Sequence, residues 1–232
     1  MKKLIWLTLF SIAMGYMESA IVVYLRQLYY PNGFIFPLTP IEPTIALTEF
    51  FREAATIIML IGIGVLAGRT KAQRLSFFIY SFAIWDIFYY VFLKLILNWP
   101  ESLFTWDILF LIPVPWVGPV IAPCIVSLTM ILLAFVLLYF ERRGNLIRLL
   151  WKDRLLIILG SAIVVFSFVL DYIRFIKENQ ASGWSPSSNQ PMFTEIMQYV
   201  PQKFNWYIFT TGELILLLSI AFIWKRLKKQ II

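Results

Sequence analysis

Six apolar stretches of about twenty residues alternate with short polar or proline-rich connections along the chain. A hydrocarbon core of ~30 Å takes ~20 helical residues at ~1.5 Å each. The pattern therefore predicts an all-α polytopic membrane protein with about six transmembrane helices, at about 4–25, 47–67, 75–97, 117–140, 155–175 and 204–224. Spans and short connections fill most of the chain, which reads as a single transmembrane domain over 1–232 with no space for a soluble catalytic domain.

Three connections have a character of their own. The first, Gln27 to Ala46, holds Pro31, Pro37, Pro40 and Pro43 among Tyr29, Tyr30, Phe34 and Phe36. Prolines at that density prevent a regular helix, and the aromatics suit a membrane–water interface. The second, near 99–116, is apolar but too short and too proline-punctuated to span, which predicts a re-entrant or interfacial segment. Pro119 and Pro123 then fall inside the fourth predicted span, where each removes a backbone hydrogen bond and predicts a kink or unwound turn. The third, Lys177 to Lys203, contains the polar stretch Glu178 to Gln190 and a candidate short surface helix around Met192–Tyr199.

The basic residues orient the bundle. Fourteen of the 20 Lys and Arg lie before span one or after spans two, four and six, all on one side if the spans number six. The positive-inside rule makes that side cytoplasmic, with both termini inside. The other six, Arg26, Arg52, Lys94, Arg174, Lys177 and Lys203, fall at or near the outer face. The net charge of +7 therefore serves topology and membrane lipids, and no nucleic acid is expected as a partner. The first span opens with Lys2-Lys3 but runs on past Glu18 with no small-residue cleavage site, which predicts an uncleaved helix. This arrangement fits a multi-pass protein of the plasma membrane, specifically a prokaryotic cytoplasmic membrane.

Composition narrows the chemistry. The chain is 60% hydrophobic and only 14% charged, against about one-quarter charged for a soluble domain. It has no histidine, which excludes zinc-protease, bis-histidine haem and Ser-His-Asp designs. Cys124 stands alone in an apolar run and reads as a small buried residue, without a disulfide or redox partner. No metal site and no cofactor is implied.

The polar residues inside the spans are the candidates for function. Glu18, Glu53, Asp86, Asp171 and Glu213 each sit in a strongly apolar run. A charge at that depth costs roughly 2.5–3.5 kcal/mol on insertion scales, so each must face another polar group or water. At ~1.5 Å per residue all five fall in the outer half of the bilayer, with Asp86 and Glu213 deepest, which predicts a polar vestibule opening outward. Arg52 accompanies Glu53 on span two, and Tyr89 and Tyr90 share a patch with Asp86 on span three, where their hydroxyls can hold a carboxylate or relay its proton. Ser11, Gly15 and Ser19 form a small-residue seam on span one that lets another helix approach, with Glu18 beside it. The binding or proton-relay candidates are thus Glu18, Arg52, Glu53, Asp86, Tyr89, Tyr90, Asp171 and Glu213, and no catalytic motif singles out a nucleophile.

Three functions compete for these residues. A transport-like protein handling a solute, proton or cation requires water-accessible acids poised between burial and nearby arginines. An intramembrane enzyme acting on a lipid or lipid-linked substrate requires paired carboxylates beside a lipid-sized groove, with Asp86 and either Asp171 or Glu213 as the dyad. A non-catalytic subunit or assembly factor requires only that the charges pair off as glue between helices, within a homo-oligomer or a larger membrane complex. The one-sided depth of the acids favours the first.

Overall fold

The computed structural model describes residues 2–112, 114–144, 147–181 and 198–230. Among the described residues six helices are long and apolar enough to cross a membrane. They are α1 (Lys2–Tyr29), α2 (Pro43–Ala67), α3 (Lys71–Leu97), α4 (Ile121–Arg142), α5 (Trp151–Ala181) and α6 (Trp206–Lys229). Between α3 and α4 lies an antiparallel hairpin of β1 (Trp106–Phe110) and β2 (Trp116–Pro119). The segment expected to be re-entrant or interfacial contains a β-hairpin, whose two strands pair the backbone groups on their facing edges.

The helix ends follow local chemistry. Pro43 opens α2, where its missing N–H costs no helical bond. Thr70 caps α3 by accepting from the N–H of Gln73 at 3.1 Å. Asn98 ends α3 in a left-handed conformation (φ 53°), and Lys94 reaches forward to donate to the carbonyls of Asn98 and Pro100. Asp153, in the first turn of α5, accepts from the N–H of Leu150 at 2.7 Å and pairs with Arg226 on α6 at 2.6 Å.

The two prolines expected to kink the fourth span do something else. Pro119 belongs to β2, and Pro123 lies in the first turn of α4, where backbone N–H groups have no partner within the helix. Neither interrupts a helix interior, and α4 begins at Ile121 rather than near 117. The expectations for the polar stretch and the short helix near 192–199 rest mainly on 182–197, which lie outside the described residues.

Packing runs side by side through the bundle. Helices α1 and α2 both pack on α3, α3 packs on α4, α4 on α6, and α6 on α5, with β2 against α5. The α1–α3 seam is the small-residue stripe: Ser11 and Ser19 are fully buried, and a Cβ on Gly15 would meet the Trp85 carbonyl at 3.0 Å. Ser19 also donates to the carbonyl of Tyr89 at 3.0 Å. The α5–α6 seam depends on Gly160 facing Gly212, where added Cβ atoms would come within 2.8 Å of Leu216 and Val164 respectively. One end of the bundle carries the hairpin and the aromatic connection 30–42. The other carries both described chain ends and most of the basic residues.

Candidate functional site

The polar candidates sort into a charged group at the hairpin end, two separately bonded carboxylates at or beside an apolar cavity, and one carboxylate away from both. The first group begins on α1 and α2. Arg52 pairs through Nη1 with Glu18 and through Nη2 with Glu49 at 2.7 Å, while its Nε donates to Glu49 at 2.8 Å. Glu49 and Arg52 meet because they are three residues apart on one helix face. Glu53, one turn further on, does not join this pairing. Both its oxygens lie within hydrogen-bond distance of the backbone N–H of Leu111, at 3.1 and 2.9 Å, just past the end of β1.

Arg26 completes the group from the end of α1. Its guanidinium lies 3.7 Å from the centre of the Trp99 ring and 4.6 Å from that of Phe34, and 3.7 Å from Asp107 on β1. Asp107 also accepts from the hydroxyl of Tyr90 at 3.1 Å. Arg26 and Asp107 are both buried, so the aromatic faces and the carboxylate stand in for the water the guanidinium has lost. Burial pushes the Asp107 carboxyl up to about 6, against the opposing pull of Arg26, of the Tyr90 hydroxyl and of the Ile108 N–H.

These side chains surround a cavity of about 180 Å³ between α1, α2, the connection 30–41, Tyr89 of α3 and β1. Arg26, Glu49, Arg52, Glu53 and Asp107 line it together with Tyr29, Tyr30 and Tyr89. The connection is held across it by the Thr39 N–H, which donates to the Tyr30 hydroxyl at 2.9 Å, and by edge contacts of Phe34 with Tyr30 and Phe36.

A second cavity, of about 260 Å³, lies among α3, α4, α5, α6 and the hairpin. Its wall is apolar except for Asp86, Ser127, Thr129, Ser161 and the Trp116 indole. Ser127 donates to Asp86 at 2.8 Å, and Thr129 donates to Glu213 at 2.7 Å. Among the described residues the second oxygen of Glu213 and the N–H of Trp116 are buried with no hydrogen-bond partner. The hairpin separates the two cavities: Asp107, Ile108 and Leu111 line the first, while Leu109 and Phe110 line the second. A register irregularity between Ile108 and Phe110 places those two successive residues on one side.

Asp171 belongs to neither cavity. It accepts from the Tyr199 hydroxyl at 2.7 Å and from the backbone N–H groups of Gln202 and Lys203 at 2.9 and 3.1 Å. It therefore ties the chain before α6 to the side of α5.

The sequence-derived candidates thus do not converge on one vestibule. Glu18, Arg52, Glu53 and Tyr89 come together, with Tyr90 joined to them through Asp107. Asp86 and Glu213 sit at or beside the apolar cavity, and Asp171 acts as a loop anchor. The expected partners differ as well. Glu53, expected in the company of Arg52, meets the backbone N–H of Leu111, and Asp171 meets Tyr199 and two backbone amides. Asp107 was not among the candidates, although it is the only charged residue between Ser102 and Phe140 and the rule that selected the other acids applies to it. Ser127 and Thr129 give no comparable signal, because hydroxyls are common in apolar helices.

Among the described residues no group of three Cys, Asp or Glu side chains is placed to hold a metal ion. No known protein family matches the chain, and neither a curated protein nor a solved structure is similar to it.

Proposed function

We propose that this chain is a multi-pass protein of a prokaryotic cytoplasmic membrane, with both termini inside and the hairpin end outward. In this reading the cavity between α1 and α2 takes up protons or a small cationic solute in a transport-like role. The orientation rests on the basic residues gathered at the opposite end. The observation that carries the function is the charge balance of the cavity. Glu49, Glu53 and Asp107 line it with Arg26 and Arg52, and Glu18 joins through Arg52. Four carboxylates against two guanidiniums leave two negative charges to be neutralised in a region poor in water, and protons or a bound cation are what can neutralise them.

Glu53 is the residue on which the reading turns. Its hydrogen bonds run to one backbone N–H, so it has a proton or cation to accept without breaking an ion pair. Tyr29, Tyr30 and Tyr89 on the same cavity suit an organic ammonium, whose charge an aromatic face attracts. The acids are interleaved with guanidiniums, which favours protons or an organic cation over a metal ion.

The test is flux into sealed proteoliposomes carrying an internal pH dye, with protons alone and then with small alkylammonium ions. Glu53→Gln is expected to abolish flux while the Arg52 pairs stay intact. Equal flux in wild type and Glu53→Gln, or none in wild type above protein-free vesicles, overturns the reading. A second reading, lipid-directed chemistry, is favoured by Asp86 and Ser127 on the wall of the apolar cavity. It predicts that Asp86→Asn rather than Glu53→Gln removes activity towards lipid substrates.

A further inference from the structure

The basic end of the bundle carries two adjoining clefts between α1 and α4, both of which pack on α3. The first, about 500 Å³, is lined by Lys2, Lys3, Arg69 and Arg142, with Glu141 as its one carboxylate. These four cations come from three separate places in the chain: the start of α1, the α2–α3 turn and the end of α4. Lys3 is held by the carbonyl of Ala67 at 3.0 Å, and Glu141 is engaged by the Thr70 hydroxyl that caps α3. The cleft therefore keeps an excess of three positive charges. The second, about 410 Å³, shares Leu4, Leu138 and Arg142 with the first and continues along Phe135 and Tyr139. Phe135 and Tyr139 are almost half exposed, and Arg143 lies over the Tyr139 ring at 4.7 Å.

A basic cleft that runs directly into an apolar one, on the side of a helix that crosses a membrane, has the shape and polarity of a single amphiphile. We propose that these clefts bind one anionic phospholipid. Its phosphate sits among Lys3, Arg69 and Arg142, and one acyl chain lies along Leu4, Phe135, Leu138 and Tyr139. The charge excess selects against a zwitterionic headgroup, and the apolar continuation selects for a lipid over free phosphate. The site is far along the helices from the acid-rich cavity and is independent of what that cavity does.

Native mass spectrometry of the full chain released from nanodiscs of equal phosphatidylglycerol and phosphatidylcholine tests this. Wild type is expected to retain one phosphatidylglycerol in preference to phosphatidylcholine. Arg69→Gln with Arg142→Gln is expected to weaken that retention about thirtyfold, the loss expected from two membrane-surface cations. Leu138→Trp, which fills the apolar cleft and leaves every cation in place, is expected to lower it as well. Wild type retaining the two lipids equally overturns the proposal without recourse to any variant. Displacement of the lipid by millimolar glycerol phosphate overturns the lipid assignment in favour of a soluble anion.

Discussion

Arg52→Gln tests whether the charge cluster between α1 and α2 holds the fold together. The wild-type guanidinium serves two carboxylates at once, Glu49 through two nitrogens and Glu18 through a third contact. Removing it strands both acids next to each other and near Glu53. Breaking one side of a fully buried pair costs ~3–5 kcal/mol. The Arg52 and Glu18 side chains are 19% and 14% exposed, and Glu49 is likewise 14% exposed, so some water reaches the cluster. The expected destabilisation is therefore at the lower end, about 3 kcal/mol. The charge-free triple variant Glu18→Gln, Glu49→Gln, Arg52→Gln strands nothing and is expected to recover about 2 kcal/mol of that loss. Reversible unfolding in mixed micelles, followed by tryptophan fluorescence at neutral pH, reads both values. An Arg52→Gln variant within about 0.5 kcal/mol of wild type, the scatter of ordinary surface changes, refutes the reasoning. So does a triple variant no more stable than the single one.

Three further outcomes follow from local geometry. Gly212→Leu drives a side chain into Val164 and Gly160 and is expected to destabilise the α5–α6 seam by at least about 1–3 kcal/mol, whereas Gly62→Ala, with open space around it, changes little in the same unfolding assay. Tyr199→Phe removes the hydroxyl bond to Asp171 and is expected to cost about 1 kcal/mol and to speed amide exchange at Gln202 and Lys203, read by hydrogen–deuterium exchange. The Asp107 carboxyl holds its proton up to about pH 6, above its ordinary value of 3.8. Its folded-state value is raised, so its contribution favours the folded state most below about pH 4 and is lost as pH rises through about 6. Infrared difference spectra are expected to lose a protonated-carboxyl band over that window in wild type and to lack the change in Asp107→Asn.

The helices were legible because membrane spans announce themselves by length and apolarity alone. The bounds near 47–67 and 75–97 match the C-terminal ends of α2 and α3, Ala67 and Leu97, because Gly68 and Asn98 are strong stop residues. The hairpin was not legible. Trp106–Phe110 and Trp116–Pro119 carry no period-two alternation, since both faces of the hairpin meet protein. Pro119 and Pro123 misled because a proline signals the end of a helix as readily as its distortion, and the sequence does not say on which side of the proline the helix lies. Residue counting gives a position along one helix, but which acids share a cavity depends on helix neighbours. Asp86 and Glu213 lie on elements that turn towards α4, while Glu53 turns towards β1. No count of residues along a single span contains that information.

The register irregularity in β1 gives the wall between the two cavities an uneven tolerance to change. Ile108 and Leu111 can be resized to reshape the charged chamber without touching the lining at Leu109 and Phe110, and the reverse holds. Size variation in the two chambers is therefore genetically separable at those four positions. Deleting Leu109, the extra residue, would restore regular alternation with Ile108 and Leu111 still facing the charged chamber and Phe110 still facing the apolar one, so only the Leu109 part of the apolar wall would be lost. Substitutions in this strand, and loss of its one extra residue, alike adjust one compartment at a time.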